Sequence, residues 1–267
     1  MNKEFFNLKD TLECGQCFRW EQNPDGSYTG VVGDEVVTVK QTADDIYYDC
    51  SDELFNSYFD MNSDYSKITE KVCVDSVMER AVSKGKGIRI LNQDFFETVV
   101  SFIISQNNNI PRIKGIIGKL CEKYGTPIKD GFYTFPNAET LAKVKPEELS
   151  FLRSGYRDTY IIDAANKIFS GKIDINIIKN GNILSARKEI SKIRGVGPKV
   201  ADCILLFAAK RGETFPTDVW IKKVLTHYYG LSDITPKKAQ EFAENKFGKY
   251  AGFAQQYLFY LARSEGI

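Results

Sequence analysis

The sequence predicts an α+β protein: an N-terminal antiparallel β-sheet domain with helices over residues 1–84, packed on a mainly helical domain over 85–267. Two observations carry this expectation. Short β-branched and aromatic runs broken by turn residues extend to Tyr48, and apolar residues recur at three and four positions from Ser51 onward.

The first runs are Cys17-Phe18-Arg19-Trp20, Tyr28 to Val32, Val36 to Val39 and Ile46-Tyr47-Tyr48, separated by Asn23-Pro24-Asp25-Gly26 and Gly33-Asp34. Turn chemistry at that spacing predicts a meander. From Ser51 the apolar positions Leu54, Tyr58, Phe59, Ile68, Val72, Val77, Met78 and Val82 fit helices, with Gly85-Lys86-Gly87 as a break. Asp94-x-x-Glu97 then reads as the start of a helix carrying Phe95, Val99, Phe102 and Ile103 on one side. That helix runs into Ser105-Gln106-Asn107-Asn108-Asn109, and Pro111 opens another that Gly125 stops. Further helices are expected over 138–151, 157–170, 185–193, 198–210, 218–229, 236–247 and 250–264.

With 43% hydrophobic and 13% aromatic residues in 267, the chain can bury a proper core, which excludes disordered and collagen-like classes. No apolar run approaches the roughly 18 to 20 residues of a membrane span. The opening Met1-Asn2-Lys3-Glu4-Phe5 lacks the pattern of a signal peptide. A cytoplasmic, prokaryotic protein with no membrane partner is expected. Six scattered cysteines fit free thiols better than a disulfide framework. Cys14 and Cys17 alone are close; they could form a redox pair or half a zinc site, but no second pair and no His lies near.

Thirty-six Lys+Arg against 35 Asp+Glu give a net charge of +1, which taken whole argues against a polyanion partner. The average conceals its layout. Residues 1–84 hold 8 basic and 17 acidic side chains, net −9, and the remainder 28 and 18, net +10. An acidic solvated face beside a mildly basic helical domain explains this as readily as a nucleic acid does.

Ile190-Ser191-Lys192-Ile193-Arg194-Gly195-Val196-Gly197-Pro198-Lys199-Val200 is the most informative stretch. Ser185 can cap a helix ending near Ile193, and Pro198 can open the next. Gly195 and Gly197 permit a tight hairpin with positive φ whose amides face outward at a helix start, an arrangement that binds phosphate. An ordinary helix-helix corner reads the same way. Lys199 falls on the first turn, where the helix dipole and burial would disfavour its ammonium form and make it a nucleophile. Nineteen residues on, Phe215-Pro216-Thr217-Asp218-Val219-Trp220 sets a carboxylate at another helix start. A solvated lysine and a capping aspartate are the plainer alternatives.

Helix-Gly-Val-Gly-x-Lys-helix followed by Pro-x-Asp-Val resembles the helix-hairpin-helix DNA glycosylases (HhH-GPD superfamily). The rest is similar to their 8-oxoguanine branch: Cys14-Gly15-Gln16-Cys17-Phe18-Arg19-Trp20, the Ser105–Arg112 run, Gly155-Tyr156-Arg157 and Gly252-Phe253-Ala254-Gln255, in the family's order. The resemblance implies a TBP-like N-terminal sheet domain and a bifunctional enzyme that excises 8-oxoguanine opposite cytosine and then cuts the strand as an AP lyase. It assigns Lys199 to attack on C1′ and Asp218 to stabilising charge on the sugar. The flipped base would lie between Cys203 and Phe259, with Gln255 on its pyrimidine edge and the Gly15 carbonyl accepting the N7 hydrogen that guanine lacks. Asn107 would fill the vacated stack, Tyr156 would wedge the duplex, and Arg112 with Arg157 would hold the estranged cytosine. Backbone groups at Gly195, Val196, Gly197 and Lys199 would grip a phosphate, and the carbonyls of Ser191, Ile193 and Val196 could hold a monovalent cation. Double-stranded DNA containing 8-oxoguanine is the implied partner of a monomer that needs no cofactor, nucleotide or required metal.

One position departs: the eukaryotic pattern has His two residues after the aspartate, and here it is Trp220. His227, the sole histidine, reads as an ordinary helix residue. An alkylated-base glycosylase should lack Lys199, and an iron-sulfur relative should carry four C-terminal cysteines. A non-catalytic hairpin module would need neither Lys199 nor Asp218.

Overall fold

The computed structural model describes residues 5–267. After a short helix α1 (Leu8–Glu13), capped by Asn7, comes a four-stranded antiparallel sheet in the order β1 (Trp20–Gln22), β2 (Tyr28–Val32), β3 (Glu35–Gln41), β4 (Ile46–Tyr48). Trp20 pairs with Gly30, and a Cβ on Gly30 would fall 2.5 Å from the indole, so only glycine lets the ring lie flat on the next strand. Cys17 to Arg19 are bends and not strand. The Gln16 side chain ties this segment to the 89–91 backbone, accepting from Leu91 N and donating to Arg89 O, and no sheet neighbour takes it.

Helices α2 (Asp52–Tyr58), α3 (Tyr65–Val72) and α4 (Ser76–Lys84) begin at the acceptor side chains of Ser51, Asp64 and Asp75. α5 (Phe95–Ser105) begins at Asp94 as its spacing predicts, and α6 (Ile110–Tyr124) at Asn109, with Pro111 as its second residue and Gly125 as its stop. The single helix expected over 138–151 is broken: α7 (Ala138–Ala142) is followed by a 3₁₀ stretch, Pro146–Leu152. Pro146 offers no amide, and it holds Lys145 extended.

Then come α8 (Arg157–Phe169), α9 (Ile175–Asn180), α10 (Ile183–Ile190) and α11 (Pro198–Ala209), followed by α12 (Val219–Tyr229), α13 (Pro236–Phe247) and α14 (Ala251–Glu265). α10 starts earlier than expected because Asn182 caps it, its side chain accepting from Ser185 N at 2.9 Å. Ser185 therefore lies within the first turn.

Three apolar cores organise these elements. The largest surrounds α5, whose Val99, Val100, Ile103 and Ile104 are fully buried among α6, α8, α10 and α11. At about 1.5 to 3 kcal/mol for each such side chain, this core anchors the hairpin between α10 and α11. A second packs Cys14, Val72, Met78 and Ile88 against α12, α13 and α14. The third backs the sheet with Phe55, Tyr58 and Phe59, and Trp20 Nε1 donates to the Tyr58 hydroxyl at 2.9 Å. The second core thus welds the loop at Gly15 to the C-terminal helix.

Candidate active site

The hairpin between α10 and α11 has one strained glycine and one open one. Gly195 has φ +82°, and a Cβ there would fall 2.1 Å from the Tyr160 ring; Gly197 has an ordinary φ of −86° with nothing within 4 Å of its Cβ position. Positive φ is thus needed at Gly195 alone, whereas Gly197 leaves room for something outside to approach. Val196 buries its side chain in the main core and spends its amide on Ile193 O. Among the described residues no acceptor takes the amides of Gly195, Gly197 or Lys199.

α8 braces the turn. Asp163 accepts from Arg194 N at 2.7 Å, and Lys167 Nζ donates both to Asp163 and to Lys192 O, the latter at 2.6 Å. This internal ammonium already sits on the backbone beside Ser191 and Ile193. Among the described residues no group of three or more His, Cys, Asp or Glu is placed to hold a metal.

Lys199, half-buried on the first turn of α11, borders a small cavity of about 50 Å³ with Asp218, Cys203, Gly15, Gln255 and Phe259. Phe102, whose ring centroid lies 5.4 Å from Lys199 Nζ, Phe207, Pro216, Cys14 and Gln256 complete its walls. Burial works against the lysine ammonium, yet Cys203, hydrogen-bonded to it one turn on, and Asp218 favour that form by more. The balance holds Lys199 above its ordinary value. The lowered lysine expected from helix dipole and burial is therefore reversed: Lys199 keeps its proton at neutral pH. Burial in turn raises the Cys203 thiol to about 11, although Lys199 partly opposes this, so it stays protonated too.

Asp218 both caps α12, accepting from Ile221 N at 2.9 Å, and faces the cavity, so its plainer reading and its catalytic one coexist. Trp220 is half-buried against the second core with the Lys223 ammonium 5.0 Å from its ring, and Val219 is exposed. His227 stacks edge-on against Tyr228.

The residues expected to meet the duplex stand apart from this cavity. Asn107 is exposed at φ +46°, a left-handed conformation that asparagine tolerates at a cost of about 1 kcal/mol. Tyr156 is 50% exposed, and Arg112, also exposed, donates to Arg153 O at 3.0 Å. Arg157, in contrast, is buried, its guanidinium beneath the Tyr156 ring and donating to Gln106 O and Ser154 O. Among the described residues two buried side-chain polar atoms lack a partner, Gln255 Oε1 and Arg157 Nε. Each costs about 1 to 3 kcal/mol in the free protein, and both belong to residues expected to touch bases.

A lysine recessed in a cavity beside a Gly-x-Gly hairpin, with a capping aspartate across from it, matches what the resemblance to helix-hairpin-helix glycosylases leads one to expect. Two family models cover the chain: "8-oxoguanine DNA glycosylase, N-terminal domain" over residues 1–99 and "HhH-GPD superfamily base excision DNA repair protein" over 100–249. It is 30% identical to an N-glycosylase/DNA lyase of Saccharomyces cerevisiae, covering 97% of this chain and 84% of that one. Among solved structures it resembles MBOgg1 in complex with a low-affinity DNA ligand, at 47% identity and TM-score 0.94 over 99% of this chain and 94% of that one. Against Clostridium acetobutylicum 8-oxoguanine glycosylase/lyase bound to duplex DNA with cytosine opposite 8-oxoguanine, identity is 39% and the TM-score 0.93, with the same coverage. The chain belongs to the 8-oxoguanine DNA glycosylase family of the HhH-GPD superfamily.

Proposed function

We propose that this protein excises 8-oxoguanine from duplex DNA and then cleaves the strand through a lysine Schiff base. The observation that carries this reading is the convergence of Gly15, Lys199, Cys203, Asp218, Gln255 and Phe259, drawn from residues 15 to 259, on one cavity. At about 50 Å³ it has room for a water or two and not for a purine, so an entering base must push its walls apart.

Flipping a base costs a few kcal/mol of stacking and pairing. Asn107 and Tyr156 are exposed to replace the lost stack, while Arg112 and Arg157, with planar donor forks, suit the acceptor edge of the orphaned cytosine. Within the cavity the Gly15 carbonyl accepts from the N7 hydrogen of 8-oxoguanine and repels the lone pair of guanine. Gln255 Oε1, unpartnered in the free protein, accepts from the pyrimidine edge.

Lys199 first releases its proton to solvent; its amine then bonds to C1′ as the glycosidic bond breaks, and the base departs with the bonding pair and takes up a proton from solvent. Asp218 stabilises the positive charge that develops on the sugar. Ring opening gives the Schiff base, and loss of a C2′ proton expels the 3′ phosphate. The phosphate grip falls to the free hairpin amides of Gly195, Gly197 and Lys199. The implied division of labour puts duplex contacts in residues 85–267 and the glycine of the base pocket in 1–84. DNA sets the compartment; no helix among the described residues is long and apolar enough to cross a membrane.

The test is borohydride trapping with a duplex carrying 8-oxoguanine opposite cytosine. The protein should give a covalent adduct and Lys199→Gln none. A wild-type protein that forms no adduct, or a Lys199→Gln variant that traps normally, overturns the assignment.

A further inference from the structure

We infer that three glutamines, Gln16, Gln93 and Gln256, form a brace that aims the Gly15 carbonyl, and that Gln256 is thereby a specificity-positioning residue for the oxidised base. This rests on the function proposed above, and its argument begins with a weakness in that function. The group that must separate 8-oxoguanine from guanine is a backbone carbonyl on a glycine at φ +83°, the residue type with the least intrinsic hold on its own conformation. A carbonyl that could turn away would neither accept from N7–H nor repel a lone pair, so discrimination requires that the Gly15–Gln16 peptide be held between anchored neighbours.

It is. On the side before it, Gln256 Nε2 donates to Cys14 O, in the Cys14–Gly15 peptide, at 3.2 Å, a contact spanning 242 residues. On the side after it, Gln93 Nε2 donates to Gln16 O, in the Gln16–Cys17 peptide, part-buried, at 2.8 Å. Between them the wholly buried Gln16 side chain plugs the loop, donating to Thr11 O at 2.8 Å and Arg89 O at 2.7 Å while accepting from Leu91 N at 2.9 Å. Every polar atom of that amide is used, which is why it holds the segment instead of merely filling it.

Gln256 has a second property. It follows Gln255 directly in α14, is 3% exposed, and shares the cavity wall with it. One helix therefore carries both the group that reads the pyrimidine edge and the group that clamps the strand reading N7. The spacing between the two readouts is set by that clamp, so loss of the Gln256 bond should loosen the measurement of the base without touching Lys199, Asp218 or the hairpin.

The experiment compares two reactions of the same protein: single-turnover release of 8-oxoguanine opposite cytosine, and borohydride capture of a preformed abasic site, which has no base to read. Gln256→Met keeps the side-chain length and removes the donor. Gln93→Met does the same at a partly exposed position, where a folding defect is less of a hazard. Both variants should release 8-oxoguanine at least tenfold more slowly while capturing the abasic site within about threefold of the unaltered protein. In a Lys199→Gln background, Gln256→Met should also reduce the preference for a duplex with 8-oxoguanine over one with guanine. Unchanged release in both variants overturns the brace, as does release that falls in step with abasic capture. If the unaltered protein captures abasic sites but releases no 8-oxoguanine, the proposed substrate fails instead, and the two failures are distinguishable.

Discussion

Around the cavity the glutamines are buried, whereas most residues expected to enter the duplex stand in solvent. Gln16, Gln255 and Gln256 are at most 5% exposed; Tyr156 is 50% exposed, and Asn107 and Arg112 lie on the surface. The difference reflects two tasks. Telling 8-oxoguanine from guanine depends on one hydrogen, so its walls must hold position before the base arrives. Opening a duplex needs side chains that water leaves free to move. Arg157 is the exception among the duplex residues: buried beneath Tyr156 with a donor unsatisfied, it links Tyr156 to the α5–α6 turn through Gln106 O.

The sharpest way to break the comparison is at the hairpin, to which the proposal gives the duplex phosphate although it is built like the pocket. Gly195→Ala would press a methyl into Tyr160 and strain a positive φ, and should cost at least about 2 kcal/mol of stability along with most duplex affinity. Gly197→Ala has open space, so thermal unfolding should barely move while DNA binding weakens. Equal losses of stability in the two variants, read by calorimetry, would contradict the geometry.

A second pair sets pocket against wedge. Gln255→Leu should slow 8-oxoguanine release by ten- to a hundredfold with duplex affinity nearly intact, because the group it removes meets only the extruded base. Tyr156→Ala should weaken binding of damaged and undamaged duplexes alike, by about tenfold. Fluorescence anisotropy beside single-turnover kinetics separates the two. The smallest effect concerns protons. Lys199 is held above its ordinary value in the free protein, so its amine fraction grows as pH rises. Abasic-site capture should therefore accelerate from pH 6 to 8, by at most about tenfold per unit. A flat profile would mean that DNA binding itself strips the proton.

Much of this was legible because certain residues carry their geometry with them. Asp94 and Pro198 mark helix starts, Gly125 a stop, and the Gly-x-Gly hairpin with Lys199 and Asp218 stands on local chemistry. The misses have physical causes. α1 and α9 are six-residue helices, too short for a periodic signal and betrayed only by Asn7 and Asp174 as caps. Lys199 reads as a depressed lysine because helix dipole and burial are visible in sequence, whereas Asp218 meets it only in the fold and adds to Cys203, one turn on in α11. Gln16 and Gln256 offered nothing to read: an amide side chain has no period, and its partners lie 73 and 242 residues away.

That last separation bears on how the protein is made. During synthesis the hairpin, Lys199 and Asp218 all leave the ribosome before α14, and domains generally fold as they emerge. A chain interrupted near residue 230 would contain the hairpin, Lys199 and Asp218 but neither Gln255 nor the clamp on Cys14. With Gln255 and Gln256 on α14, the pocket closes only after the hairpin has been made, and Met78, Ile88 and Leu258 in the shared core make that helix a condition of the fold as well.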